Sequence, residues 1–336
     1  MTSGSGELRA GVVGAGMIAG CHVRAYAATP GVRVVAVADP RSDKAARLAE
    51  TVGATPCAGL EEVLTRDVDV VSVCTPPASH ADLAVLAVEA GRHVLCEKPL
   101  AGSLTDARRI LEAARRTDAV VMVGHVSRFE RDHRAAKELV DGGYVGEVAM
   151  MAHSMTSAVP GWSEAGWLTD PAQSGGPLLD LSVHSFDYLA WLCGSDAVRV
   201  HAVAADTPAG PATYTLATVR YASGAMGQVE ASWAHPDARG FRIDVEVTGT
   251  EGRISWDSAG LLGGAIHTAD GRTTWLDPLG ESGFHREVAA FVHAVREGAP
   301  SPVPVEAGFA AARTALAAHE SLRTGQPVDL TTWEAG

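Results

Sequence analysis

The most constraining feature of the chain is an alternation that fills its first 124 residues. Short apolar runs, Leu8–Val13, Val32–Ala38, Val68–Cys74, His93–Cys96 and Ala119–Val123, alternate with stretches of helical periodicity. The helical stretches are Cys21–Ala28, Ser42–Val52, Ser79–Ala90 and Ser103–Arg116. A run without polar alternation reads as a strand buried on both faces, and strands joined through helices run parallel. The pattern predicts a doubly wound α/β Rossmann domain over residues 1–124.

After Gly124 the texture changes. An amphipathic helix, Arg131–Val140, stops at the paired glycines Gly142 and Gly143. Strand-like stretches follow at Glu147–Met155, Val198–Ala205, Thr213–Tyr221, Ala225–Trp233, Phe241–Thr248 and Arg253–Trp256, several joined by glycine turns. Such turns between apolar runs signal antiparallel hairpins. Two helices, Phe284–Glu297 and Glu306–Thr324, close the chain. Residues 125–336 are expected to form an α+β domain on a large, mainly antiparallel open sheet, with a C-terminal helix able to pack back on the first domain.

Composition narrows the function classes. With 46% hydrophobic and 20% charged residues, a chain of 336 residues can bury two cores. The 27 basic and 40 acidic residues leave a net charge of −13, which supplies no basic footprint for nucleic acid or an anionic membrane. No apolar run reaches the roughly 20 residues of a membrane span. The first residues, Met-Thr-Ser-Gly-Ser-Gly-Glu, lack the apolar core of a secretory signal. Five scattered cysteines without a CxxC pair read as free thiols in a reducing compartment. The expectation is a cytoplasmic protein with no metal site.

Gly14-Ala15-Gly16-Met17-Ile18-Ala19 follows the first apolar run and opens a helix, the GxGxxA form of a dinucleotide fingerprint. The first glycine makes the tight turn, and the second lets backbone approach a pyrophosphate at the helix N-terminus. The next strand ends at Asp39, about 20 residues on, where a carboxylate would bind the adenosine ribose. That charge favours NAD. Arg41 leaves NADP open, since a guanidinium could clamp a 2′-phosphate if Asp39 turned away.

Only three of the 27 basic residues are lysines, so the place of each matters. Lys98, in Cys96-Glu97-Lys98-Pro99, ends the fifth expected strand. Ligands of open α/β sheets bind beyond strand carboxyl ends, where an ammonium could polarise a substrate oxygen. A surface lysine opening a loop is the plain alternative. Further on, Asp180 and His184 stand four apart, so a helix would bring them to one face, the carboxylate orienting the imidazole as a base. Alternatively, Asp180 caps a helix and His184 is a core histidine.

The glycine fingerprint, Glu97-Lys98-Pro99 and the run Gly175-Gly176-Pro177-Leu178-Leu179-Asp180-Leu181-Ser182-Val183-His184-Ser185-Phe186-Asp187, in that order, resemble the glucose–fructose oxidoreductase / inositol dehydrogenase (Gfo/Idh/MocA) family. The similarity extends over nearly the whole chain and includes the Gly249–Gly252 turn and Phe291–Gly298. The resemblance implies a catalytic set of Lys98, Asp180 and His184, with the histidine taking the alcohol proton and the lysine orienting the reacting oxygen. It implies that Thr75, Pro76 and His80 line the cofactor, beside the Met17 and Ile18 of the fingerprint, and that Glu97 lies beside the nicotinamide half. It also implies a C-terminal sheet packed against partner subunits, giving a homodimer or homotetramer.

There are departures. Ser127-Arg128 stands where close polyol dehydrogenases often carry paired arginines, so a myo-inositol-like substrate is in doubt. Trp162 and Trp167 could stack on a sugar ring or simply anchor a loop. His153 is a weaker candidate for substrate contact. The leading expectation is an NAD(P)-dependent oxidoreductase acting on a secondary alcohol or ketone of a sugar, cyclitol or derivative, with Lys98 and the Asp180–His184 couple converging over the nicotinamide. Two other readings use the same residues or fold: a redox-assisted glycosidase that returns its cofactor unchanged, and a non-catalytic cofactor-sensing regulator.

Overall fold

The computed structural model describes residues 6–160, 168, 170, 174–236, 240–258, 265–268, 273–275 and 282–334. The chain divides into two compact units, Met1–Phe129 with Glu281–Phe309, and Glu130–Gly280 with Ala310–Gly336.

In the first unit six parallel strands lie in the order β3-β2-β1-β4-β5-β6. They are β1 (Leu8–Val13), β2 (Val32–Ala38), β3 (Thr55–Cys57), β4 (Val70–Val73), β5 (His93–Glu97) and β6 (Val121–Gly124). Five of them are the expected runs. The edge strand β3 escapes the apolar pattern because it is three residues long and contains Pro56, which only an edge tolerates. Every residue of β4 and β6 is buried, as a sheet covered on both faces requires.

The linking helices are α1 (Met17–Ala28), α2 (Ser42–Glu50), α3 (Leu60–Leu64), α4 (His80–Glu89) and α5 (Leu104–Ala114). Helix α5 shows how local chemistry sets a start: Ser103 accepts from the Asp106 N–H and donates to the Asp106 carboxylate. Strand order reverses between β1 and β4, which places a ligand crevice at the carboxyl ends of these strands. Helix α9 (Gly283–Glu297) also belongs to this unit and packs against α1. Its apolar stripe of Val288, Phe291 and Val292 is buried, and Arg296 donates to the carbonyls of Pro30 and Gly31.

The second unit carries a nine-stranded sheet in the order β14-β13-β12-β11-β7-β10-β9-β8-β15. Its strands are β7 (Val148–Thr156), β8 (Ala197–Thr207), β9 (Gly210–Tyr221), β10 (Met226–Ser232), β11 (Arg242–Gly249), β12 (Gly252–Asp257), β13 (Ala265–Thr268), β14 (Thr273–Trp275) and β15 (Val328–Asp329). All pairings are antiparallel except β7 with β10, so the sheet is mixed. One face is covered by α7 (Gly176–Asp180) and α8 (Ser182–Cys193), with α6 (Arg131–Asp141) packed on α8. Met151, Val183, Tyr188, Leu189, Val229 and Val247 fill the space between them. Helix α10 (Val305–Thr324) adds Ala311, Ala315 and Ala318 to the same core.

Candidate active site

The glycine loop between β1 and α1 is built as a cradle. Gly14 has φ +102°, and a Cβ there would lie 2.4 Å from the Cys74 carbonyl oxygen, so only glycine fits. Gly16 N-caps α1 without any side-chain cap, and a Cβ on it would meet open space. The N–H groups of the first helical turn, without a side-chain cap, are suited to an anion. Met17 and Ile18 form that turn, Met17 about half exposed.

Asp39, at the end of β2, is buried, and its oxygens accept from the Ala15 N–H at 3.0 Å and the Arg41 N–H at 2.9 Å. The Arg41 Nε also approaches at 3.3 Å. Two backbone donors hold this carboxylate in place, so it does not turn away to admit a 2′-phosphate. The loop, the helix start and the fixed carboxylate together fit an adenine dinucleotide with a free ribose diol.

Lys98 follows β5, half-buried, and its peptide bond to Pro99 is cis. The residues around it are tied down on both sides. Glu97 is buried, with Oε2 accepting from the Lys98 N–H at 3.0 Å and Oε1 2.9 Å from His22 Nε2. On the far side, His80 Nδ1 lies 2.9 Å from the Pro99 carbonyl and Nε2 2.8 Å from the Thr75 carbonyl. His80 has no exposed surface, and its burial lowers its pKa below the ordinary histidine value despite these contacts. Its imidazole therefore joins the Thr75 loop to the Lys98–Pro99 turn from beneath, a different task from the cofactor contact expected of it. Thr75 and Pro76 stand at the loop surface, where Ser79 donates to the Thr75 hydroxyl and the Pro76 carbonyl.

Ser127 and Arg128 lie in a short 3₁₀ turn after β6, both buried. The Arg128 N–H donates to the His125 carbonyl, which closes the turn.

In the second unit Asp180 ends α7, and Leu181 joins it to α8 with helical φ and ψ. The His184 N–H donates to the Leu181 carbonyl, three residues back, so the helix tightens between the two candidates instead of running on evenly. Asp180 is not the cap of α8, since Leu181 occupies that position without a side-chain bond. His184 lies on the first turn of α8 and is 8% exposed.

Residues 8–125 match the oxidoreductase family with an NAD-binding Rossmann fold, GFO_IDH_MocA, and residues 133–255 match the GFO/IDH/MocA C-terminal domain. Inositol 2-dehydrogenase 3 of Saccharopolyspora erythraea is 32% identical across 96% of this chain and 95% of its own length. The chain belongs to the Gfo/Idh/MocA family. Myo-inositol 2-dehydrogenase of Thermotoga maritima is 28% identical, covering 96% of this chain and 98% of that one. Among solved structures, GenD2 from gentamicin A biosynthesis in complex with NAD superposes with a TM-score of 0.84 at 29% identity, covering 97% of each chain.

For this Gfo/Idh/MocA chain, one sequence expectation needs restating. His153 neither meets solvent nor lines an opening: it is 1% exposed, with Nδ1 2.6 Å from the Ser185 hydroxyl and Nε2 3.2 Å from His133 Nε2. A position facing inward from β7 beneath α8 makes it a core residue. Trp162 and Trp167 lie outside the described residues. His22 and Glu287, each with a polar atom within 4.8 Å of Glu97, and Ser72, 3.1 Å from His22 Nδ1, escaped the sequence reading. The available signal was weak: a lone polar residue on the buried stripe of a helix or in an all-apolar strand.

Proposed function

We propose that this Gfo/Idh/MocA oxidoreductase catalyses hydride transfer between NAD and a secondary alcohol or ketone of a sugar, cyclitol or sugar derivative. The observation that carries the reading is the placement of Lys98 at the carboxyl end of β5, in the unit whose glycine loop and Asp39 fit the dinucleotide. The substrate class is supported by the inositol dehydrogenases among its relatives.

When bound, NAD supplies the hydride acceptor at its nicotinamide ring. The Lys98 ammonium donates to the reacting oxygen and so favours the charge that develops on it. His184 takes the alcohol proton on its imidazole, and Asp180 orients that ring for transfer. In the reverse direction the same groups return the proton to a ketone oxygen. The five cysteines are all free, which supports a reducing, cytoplasmic setting. The assembly proposed is a homodimer or homotetramer formed through the nine-stranded sheet.

The test is a panel of polyols and keto-sugars followed by reduced-nicotinamide absorbance. Lys98→Ala and His184→Ala are each expected to lower kcat by about 10²- to 10⁴-fold while NAD affinity, measured by calorimetry, stays unchanged. Confirmed NAD binding without turnover of any such substrate would sink the reading.

A further inference from the structure

The turn of α8 that carries His184 is weakly held from within. Leu181 caps it without a side-chain bond, and the hydroxyl of Ser182, the first helical residue, has no hydrogen-bond partner among the described residues. Uncapped first turns leave their N–H groups unpaired and are where helices fray. The other hydroxyl of the turn is held from outside. Ser185 has no exposed surface, and its Oγ lies 2.6 Å from Nδ1 of His153 on β7.

Strand β7 is a firm place to hold from. It runs inside the nine-stranded sheet, with His153 opposite Val229 of β10 on one side and Val245 of β11 on the other. The far nitrogen of the ring, Nε2, lies 3.2 Å from His133 Nε2 on α6. Nearly one turn beyond Ser185, Tyr188 lies against both imidazoles and donates to the His133 carbonyl at 3.3 Å. Burial keeps His153 neutral at ordinary pH, with its pKa pushed down to about 3. A neutral ring makes both contacts in either tautomer, because the Ser185 hydroxyl and the His133 imidazole can each donate or accept. The arrangement does not depend on which nitrogen carries the proton.

Apolar side chains would fill this space at less cost than two imidazoles and a hydroxyl, so what the polar contact adds is direction. Packing alone lets a helix turn slightly about its axis, and a hydrogen bond resists that. A rotation of about 10° carries a side chain about 6 Å from the helix axis through about 1 Å. A misplacement of about 1 Å at a reacting group can cost about a hundredfold in rate. His184 is adjacent to Ser185 in the same turn, so a bond that stops Ser185 also stops the imidazole beside it.

We propose that His153 is a positioning residue for the reaction: through its bond to Ser185 it fixes the turn of α8 that carries His184, while His133 holds the far side of its ring. The proposal rests on the role given to His184 above.

The test is a set of variants at the two ends of the bond, assayed with the best substrate of the polyol and keto-sugar panel. Ser185→Ala and His153→Leu should each lower kcat by about ten- to a hundredfold, with affinity for NAD, measured by calorimetry, unchanged. An asparagine amide reaches the place of a histidine Nδ1, and a glutamine amide that of Nε2. His153→Asn, which keeps the Ser185 contact, should recover most of the rate, and His153→Gln, which keeps only the His133 contact, should not. In a His184→Ala background Ser185→Ala should cost nothing further, because the group it places is gone. A role in stability alone would lower the urea midpoint and leave that cycle additive. Unaltered kcat in folded Ser185→Ala, equal rates in His153→Asn and His153→Gln, or the same loss from Ser185→Ala with and without His184 would each overturn the proposal. Ser185→Ala removes a single oxygen, so the test stands even if His153→Leu does not fold. Failure of the His184 assignment would show differently, as full activity in His184→Ala alone, and would take the proposal with it.

Discussion

Asp39 shows what one residue contributes. Its carboxylate is held by two backbone N–H groups, Ala15 of the glycine loop and Arg41 of the loop after β2, so it is fixed where a ribose 2′ position would come. Arg41 lies against that carboxylate and leaves it in place. Asp39→Ala should lower kcat/KM for NAD by about ten- to a hundredfold, the loss of charge-assisted hydrogen bonds, and raise the NADP to NAD ratio. Steady-state kinetics with both cofactors checks this, and an unchanged ratio would show that the charge does not select. Asp39 was legible in the sequence because strand end and fingerprint fix its spacing. Glu97 was legible only as a neighbour of Lys98. Its partners His22 and Glu287 stand 75 and 190 positions away along the chain, and no local pattern links such residues.

At the scale of elements, β7, α6 and α8 meet around two buried histidines. His133 of α6 faces His153, Tyr188 and Trp256, and His153 of β7 faces His133, Tyr188 and the Ser185 hydroxyl. Burial lowers both pKa values, that of His153 to about 3, and the neighbouring His153 lowers His133 further. Folded pKa values below the unfolded value mean that the unfolded chain binds more protons as the medium becomes acid. Stability is therefore full above about pH 6.5 and lost as pH falls toward 3, by about 1.4 kcal/mol per pH unit for each histidine held neutral. His80, His93 and His319, also lowered by burial, add to the slope. Urea midpoints should hold between about pH 7.5 and 6.5 and fall steadily from there to about pH 5, and His153→Gln should flatten the fall by about one proton. Equal slopes in the two proteins would remove the pair from the account. The sequence predicted α6 and β7 with small end shifts, and set no bounds for α8. It gave no sign that His133 and His153 would touch, since one lies on a helix and the other on a strand.

For the whole molecule, the open face of the nine-stranded sheet is the feature with consequences. Met150 and Met226 are paired across β7 and β10, each 46% exposed, and Val203 on β8 is 50% exposed. Large apolar side chains side by side on a sheet are a surface for another protein, and a second copy of this chain is the partner proposed. Sedimentation velocity should show a dimer or tetramer, and Met150→Glu with Met226→Glu should shift it toward monomer without unfolding the protein. A wild-type monomer at micromolar concentration would rule the interface out.

The sequence by itself determined the parallel sheet, the glycine loop, the carboxylate that follows β2 and the place of Lys98. Each rests on periodicity or spacing within some 30 residues, where backbone sterics and burial act locally. Only the tertiary structure decided that His80 works from below, that His153 belongs to a core, that β7 runs parallel beside β10, and that Glu97 has a buried histidine and a second carboxyl group as neighbours. Those facts depend on which distant segments share one low-dielectric interior. That is settled by packing the whole chain, and no stretch of sequence carries it alone.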